Sequence, residues 1–357
     1  MNEFRTAGEL QTLFWLSYAL LFASGVLGAA FIAGRLPAFL ERNGFFDQKS
    51  LPERRLTAGG IAIIIPFLAV LGAAVIFNPL AFNAERGQLG FLFAALAIIA
   101  LLGLYDDRKG ASPALKIAVQ AAAALIFMAG GGQSLGFITS PLHSAVAVGA
   151  WGAVPLVIWI LAITNAMNLI DGIDGLAAGI ALISAVTLFA ISHIFGENTL
   201  ASFAALLAGC IFGFIRLNLP PAKLFLGDTG SLFLGFTLAA ASVMERRKGS
   251  VTLTLLVPMV VLAIPLVDAA LAFLRRALRG QNPMRGDSGH IHHRLRRLGL
   301  SDTQIDMMLY LFSTYLAITA GVLAFFPKET AMVVLILLAI GIFIALEILR
   351  AIERGIK

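Results

Sequence analysis

Eleven stretches of this chain are too apolar to lie in water. They run over roughly 12–34, 58–77, 88–105, 115–131, 151–168, 175–194, 199–217, 230–244, 251–274, 306–326 and 331–349. Several exceed the roughly 18 apolar residues that mark a membrane-spanning helix. The run 230–244 is short for a core of about 30 Å, which predicts a helix that tilts, breaks or extends into its flanks. The expectation is an all-α, polytopic transmembrane helical bundle of about 11 helices, forming one integral-membrane domain over 1–357. Only 13% of the residues are charged, against about a quarter in a soluble domain. A soluble two-domain protein of this length has no use for such runs.

The single cysteine, Cys210, lies inside one of them, between Gly209 and Ile211. Without a partner it excludes an intrachain disulfide and reads as an inert small hydrophobe. No small-x-small cleavage site follows the first run, which therefore reads as a retained helix. The Gly-, Ser- and Pro-rich stretch 131–150 suits a surface hairpin or a re-entrant loop.

Eleven spans put the termini on opposite sides, and the basic residues orient the chain. One side holds 20 of the 26 Lys and Arg residues, including 5 in 35–57 and 7 in 275–305. That side is expected to be cytoplasmic, in a bacterial inner membrane, with the N-terminus outside and the C-terminus inside. The cytoplasmic loops are then 35–57, 106–114, 168–174, 218–229 and 275–305. Asp106, Asp107, Asp171, Asp174, Asp228, Asp268 and His290–His293 all fall in or beside these loops. Independent helix ends would scatter over both faces, so the pattern predicts one polar site at the cytoplasmic mouth.

The run Asn165-Ala-Met-Asn-Leu-Ile-Asp-Gly-Ile-Asp-Gly175 carries Asn165, Asn168, Asp171 and Asp174 at every third position. Neighbours in that spacing sit about one helical turn apart. Carboxylates cost several kcal/mol at membrane depth, and a plain helix exit needs no such regularity. In Tyr105-Asp-Asp-Arg-Lys-Gly110 the adjacent carboxylates Asp106 and Asp107 repel unless a cation neutralises them. The pair suits a general base, or a metal or phosphate site with Arg108, Lys109 and Lys116 nearby; a solvated acidic turn is the plain alternative. In Phe225-Leu-Gly-Asp-Thr-Gly-Ser231, Asp228 is a hard oxygen ligand of the kind Mg²⁺ takes together with substrate phosphates. Thr229 and Ser231 lie at a helix start that can attract phosphate, while an ordinary N-cap explains the same residues. Asp268 either supports another site residue or pairs with Arg275 or Arg276. His290, His292 and His293 beside Arg294, Arg296 and Arg297 could ligate zinc, but the arginines repel a cation and suit a diphosphate. An amphipathic interfacial segment is the structural alternative. In the basic loop 42–60, Lys49, Arg54 and Arg55 anchor the chain or meet an anionic headgroup or nucleotide.

From about residue 40 to 315 these motifs, in order, resemble the polyprenyl-phosphate N-acetylhexosamine-1-phosphate transferase family. The resemblance implies transfer of a sugar-1-phosphate from a UDP-sugar to a polyprenyl phosphate lipid, with release of UMP. It implies Mg²⁺ (with Mn²⁺ as the substitute), bound at Asp228 with Asp171 as a second candidate. By motif position Asp106 and Asp107 act on the lipid phosphate and Lys116 neutralises phosphate. Asp171, Gly172, Ile173 and Asp174, with Asn218 and Phe225, lie near the uridine end. Asn165 and Asn168 join the substrate-binding set, as does Arg294, and His290, His292 and His293 join the catalytic set.

His-Ile-His-His-Arg at 290–294 is similar to the GlcNAc-1-phosphate branch, which points to UDP-GlcNAc and to the first membrane step of cell-envelope polysaccharide synthesis, cell wall or lipopolysaccharide. UDP-MurNAc-pentapeptide or another UDP-HexNAc is the alternative donor. One departure stands out: many relatives carry a longer 47–60 loop, and its shortening puts nucleotide or sugar contacts from that loop in doubt. A secondary transporter would need carboxylates near the midplane and an inverted repeat, and neither is visible. No nucleic-acid partner is expected; a homodimer is left open.

Overall fold

The computed structural model describes residues 7–46, 55–77, 86–131, 137–139, 145–147, 152–244, 259–278, 280, 289–325 and 328–355. Each of the eleven expected apolar stretches overlaps a helix among the described residues. They are α1 (Ala7–Arg42), α2 (Ile61–Phe77), α3 (Arg86–Lys109), α4 (Pro113–Gly131), α5 (Ala153–Ile170) and α6 (Leu176–Ile194). Then come α7 (Asn198–Ile215), α8 (Gly227–Met244), α9 (Ala263–Leu278), α11 (Asp302–Leu323) and α12 (Lys328–Gly355), with the short α10 (Ile291–Arg297) between α9 and α11. Seven are long and apolar enough to cross a membrane, and the apolar parts of α2 and α12 are shorter. The outward faces are as apolar as the core: Leu27, Phe31, Leu101, Ile158, Phe212, Leu311 and Ile318 are all exposed. A chain that presents such side chains outward meets lipid, and helices satisfy their backbone groups there. This is a multi-pass membrane protein.

Two short strands, β1 (Phe137–Thr139) and β2 (Ala145–Ala147), pair antiparallel as a hairpin, one of the two forms suited to 131–150. Lys49 and Arg54, the start of the ninth apolar stretch and most of 279–288 lie outside the described residues.

The short eighth span solves its length problem by extension. α8 begins at Gly227 and its 18 residues reach about 27 Å at 1.5 Å per residue. Every residue from Thr229 to Met244 is buried, enclosed by α5, α3, α6 and α2. Close approach of α3 needs Gly103: a Cβ there would lie 2.5 Å from the Thr229 Cα. α8 is thus the central post of the bundle, and Asp228 stands at its tip.

Several loop edges move. α1 continues through Arg42, α3 through Lys109 and α5 through Ile170, so the loops written 35–57, 106–114 and 168–174 are shorter. The three-residue pattern is not helical throughout. Asn165 and Asn168 lie on α5, whereas Asp171 caps its end and Asp174 sits in the turn before α6. Gly175 closes that turn with φ +83°, a left-handed conformation that glycine adopts without steric cost. Cys210 is buried in α7.

Candidate active site

The C-terminal ends of α3 and α5 meet the N-terminal ends of α4 and α8, because antiparallel neighbours with short links alternate direction. Lys116, in the first turn of α4, reaches across this end. Its Nζ forms an ion pair with Asp106 and lies 3.4 Å from Asp228 Oδ2. Asp106 is buried and accepts the Ala111 amide at 2.6 Å. Asp228 is one-third exposed, at 32% of its side chain. The Asn168 amide donates to Asp228 Oδ1 and, at 2.9 Å, to the Ser231 hydroxyl. Ser231 in turn donates to the Gly227 carbonyl at 2.9 Å. Asp228 is therefore not the N-cap of its helix; its carboxylate faces an ammonium and an amide contributed by α4 and α5.

The α8 N-terminus is occupied by Asp107. Its Oδ1 accepts from the Thr57 hydroxyl at 2.8 Å and the Asp228 amide at 3.0 Å. Its Oδ2 accepts the Thr229 amide at 2.9 Å and the Thr229 hydroxyl at 2.5 Å. The amides of Asp228 and Thr229, expected to attract phosphate, hold a carboxylate of the protein itself.

Asp171 lies close enough to Asp228 and Asp107 to feel both charges. Burial first, then Asp228, Asp107 and Asp174, pushes its carboxyl well above the usual carboxylate range. Asp174 accepts the Ala222 amide at 2.9 Å and sits 4.0 Å from Arg55 Nη1. The Arg55 guanidinium lies 5.2 Å over the Phe225 ring. The segment 56–60 is paired to 225–226 by three backbone bonds: Phe225 N to Leu56 O, Gly59 N to Phe225 O and Gly60 N to Leu226 O. The 56–60 end of the shortened loop therefore lies beside Phe225 and Leu226. Asn218 is buried and donates to the Leu224 carbonyl at 3.0 Å, closing the 218–224 turn. Asn165 is turned toward α4, where its amide donates to Gln120 at 2.7 Å.

The histidine segment reaches the same end from the other side. Asp268 accepts the Ile291 amide at 2.9 Å and lies 2.8 Å from His290 Nδ1. It orients His290 and binds the first amide of α10, the supporting one of its two expected arrangements. The His292 ring packs against Gly172, and the rings of His290 and His292 are stacked at 5.9 Å. His292 is buried, with neither ring nitrogen hydrogen-bonded. Burial, then the neighbouring His293, lowers its pKa to about 4; the same two kinds of influence lower His293. Burial thus favours the neutral form of both rings. Arg294 is buried on α10. Among the described residues no three His, Cys, Asp or Glu side chains form a metal cage.

Glycosyl transferase family 4 matches residues 89–245, which hold α3 through α8 and both the Asp106–Lys116–Asp228 centre and the 171–175 turn. A probable undecaprenyl-phosphate N-acetylglucosaminyl 1-phosphate transferase of Bacillus subtilis (strain 168) is 32% identical over 300 residues, 84% of this chain and 82% of its own length. This chain belongs to the polyprenyl-phosphate N-acetylhexosamine-1-phosphate transferase family. A decaprenyl-phosphate N-acetylglucosaminephosphotransferase of Mycobacterium tuberculosis (strain ATCC 25618 / H37Rv) is 32% identical over 323 residues, 81% of this chain and 77% of the relative. An undecaprenyl-phosphate alpha-N-acetylglucosaminyl 1-phosphate transferase of Escherichia coli (strain K12) is 29% identical over 314 residues, 84% and 83% of the two chains.

The transferase holds further site neighbours that its sequence does not advertise. Thr57 reads as an ordinary loop threonine, and only the fold brings it to Asp107. Tyr310, on α11, donates to the Gly175 carbonyl at 2.6 Å. Asp306, one turn earlier and buried, has neither carboxylate oxygen hydrogen-bonded. Both lie at the start of an apolar run, where local pattern gives no signal. The candidate site thus has three parts around the 165–175 run: the Asp106–Lys116–Asp228 centre, the Arg55–Asp174–Phe225 corner and the histidine wall.

Proposed function

We propose that this transferase moves GlcNAc-1-phosphate from UDP-GlcNAc to undecaprenyl phosphate and releases UMP. The observation that carries the reading is the Lys116 ammonium held between Asp106 and Asp228 at one end of a lipid-facing bundle. The names of the relatives support the sugar and the class of lipid. In the reaction an oxygen of the lipid phosphate attacks the β-phosphorus, and the bond from that phosphorus to the bridging oxygen breaks. UMP departs with the bridging oxygen and the electron pair, leaving the lipid linked to GlcNAc through a diphosphate.

Lys116 offsets charge on the reacting phosphates in a partly buried site, where a fixed cation is worth more than in water. Asp106 accepts the remaining proton of the lipid phosphate. Arg55, Asp174 and Phe225 form the nucleotide end, and the rings of His290, His292 and His293 with Arg294 face the sugar and diphosphate. The donor set fits Mg²⁺: Asp228 is a hard oxygen ligand, partly exposed and held by Asn168, with Asp171 close by. Mg²⁺ takes one or two carboxylates and completes its shell with phosphates and water, so a closed protein cage is not needed. An ion held by Asp228 would supply charge neutralisation for the diphosphate. A two-step route through phosphorylated Asp106 uses the same atoms; a measured inversion at phosphorus would exclude it.

The bias of basic residues supports a site on the cytoplasmic face of a bacterial inner membrane, in a chain of eleven spans with the N-terminus outside and the C-terminus inside. The product suits the first lipid-linked step of an envelope polysaccharide. The deciding experiment measures UMP release from UDP-GlcNAc and undecaprenyl phosphate with and without Mg²⁺, for wild type and Asp228→Ala. Loss of release in the variant and after chelation is expected. An active Asp228→Ala enzyme overturns the metal assignment, and activity with UDP-MurNAc-pentapeptide alone overturns the donor.

A further inference from the structure

Asp106 and Asp107 read as one acidic unit, yet their surroundings divide them. An ionised carboxylate has about four acceptor sites. Asp107 uses all of them on the protein: Thr57 Oγ1, the Asp228 amide, the Thr229 amide and Thr229 Oγ1. None remains for a substrate proton, a phosphorus atom or a cation. Asp106 accepts one backbone bond, pairs with Lys116 and meets the Asp228 carboxylate of the reacting centre.

The donors engaged by Asp107 also have a meaning. The first amides of a helix have no partner within it, and the positive end of the helix dipole favours an anion beside them. A residue of α8 would normally supply that anion. Here it comes from the end of α3, 121 residues earlier in the chain. Thr57 adds a third segment, and its loop is already paired to 225–226 through the backbone.

We propose that Asp107 is a positioning residue. With Thr57 and Thr229 it forms a latch that ties the 56–60 segment and the end of α3 to the first turn of α8. The latch sets where the Asp228 carboxylate stands relative to Lys116 and Asn168. Of the acidic pair, only Asp106 takes part in the chemistry. The inference rests on Asp228 being central to the transfer reaction proposed above.

The test uses the full chain in detergent, with Thr57→Val, Thr57→Ser, Asp107→Asn and the Thr57→Val/Asp107→Asn pair. Two readouts are taken: transfer kinetics, and hydrogen exchange of the amides at 228–230. Thr57→Val and Asp107→Asn are each expected to lower kcat by on the order of 10- to 100-fold. KM for either substrate should stay within about twofold, since neither residue binds substrate. Thr57→Ser restores kcat, and the pair is no slower than Asp107→Asn alone. Both damaging variants speed exchange at the start of α8. The latch is overturned if Asp107→Asn falls to background while Thr57→Val behaves as wild type and exchange is unchanged; Asp107 then meets substrate directly. If the wild type itself releases no UMP from UDP-GlcNAc, the reaction assignment fails, and the exchange measurement still decides the latch.

Discussion

The ammonium of Lys116 stands 3.4 Å from the Asp228 carboxylate, joining the first turn of α4 to the first turn of α8 across 112 residues. Removing it leaves Asp106 and Asp228 facing each other without a cation. Lys116→Met is expected to lower kcat by at least about 100-fold, the scale of losing one fixed charge partner in a shielded site. Lys116→Arg should recover part of this loss, because it restores the charge with a different shape. Steady-state UMP release at saturating donor checks both.

Asn168 holds Asp228 and Ser231 with one amide group. Asn168→Ala should reduce kcat by about tenfold or more through loss of that orientation. Asn168→Asp places a second carboxylate against Asp228, and like charges raise the pKa of one of them. Its activity relative to wild type is therefore expected to improve as pH falls from about 8 to about 5. A flat ratio across that range would show that the two side chains do not meet.

Gly103 permits the contact between α3 and α8. Gly103→Ala puts a methyl against Thr229 and should cost about 1–3 kcal/mol by overpacking. It should also reduce activity, since the same helix end carries Asp106 and Asp107. Gly341→Ala in α12 is the control, because nothing lies within 4 Å of the added carbon. Thermal unfolding in detergent separates the two.

His292 has its pKa lowered from 6.5 to about 4 by burial, so the folded protein keeps it neutral. Between about pH 6.5 and about pH 4 the unfolded chain binds a proton there that the folded chain refuses. His292's contribution to stability is thus complete above about pH 6.5 and falls as pH drops to about 4, by as much as about 3 kcal/mol. In His292→Gln the dependence of Tm on pH should flatten over that window. An unaltered slope would mean that other groups carry it.

The apolar stretches and the four polar motifs are legible because both are local. Hydropathy finds a helix such as α7 to within two residues, and the run 165–175 announces itself by amides and carboxylates where greasy residues belong. Hydropathy fails at α1, which it ends near Gly34 although the helix runs to Arg42; backbone hydrogen bonds continue where apolarity stops. Regular spacing fails from Asp171 to Asp174, where Gly172 and Gly175 turn the chain. Thr57 is invisible for a different reason. Its value lies in its hydroxyl bond to Asp107 and in neighbours, Leu56, Gly59 and Gly60, that pair with residues 225–226, and such long-range partners leave no mark on their own neighbourhood. Asp306 and Tyr310 look like incidental polar residues on a spanning helix until α11 is packed against Gly175.

The burial of α8 from Thr229 to Met244 has a consequence for how the protein experiences its surroundings. The helix that ends in Asp228 touches other helices along its length and no lipid. A thicker or thinner bilayer pulls first on the outer helices, whose side chains face the acyl chains. Asp228 is held in place by protein-to-protein packing, whereas Lys116 comes from α4, whose Leu115 and Leu125 face outward, so a change in bilayer thickness acts on the Asp228–Lys116 pair from the lysine side.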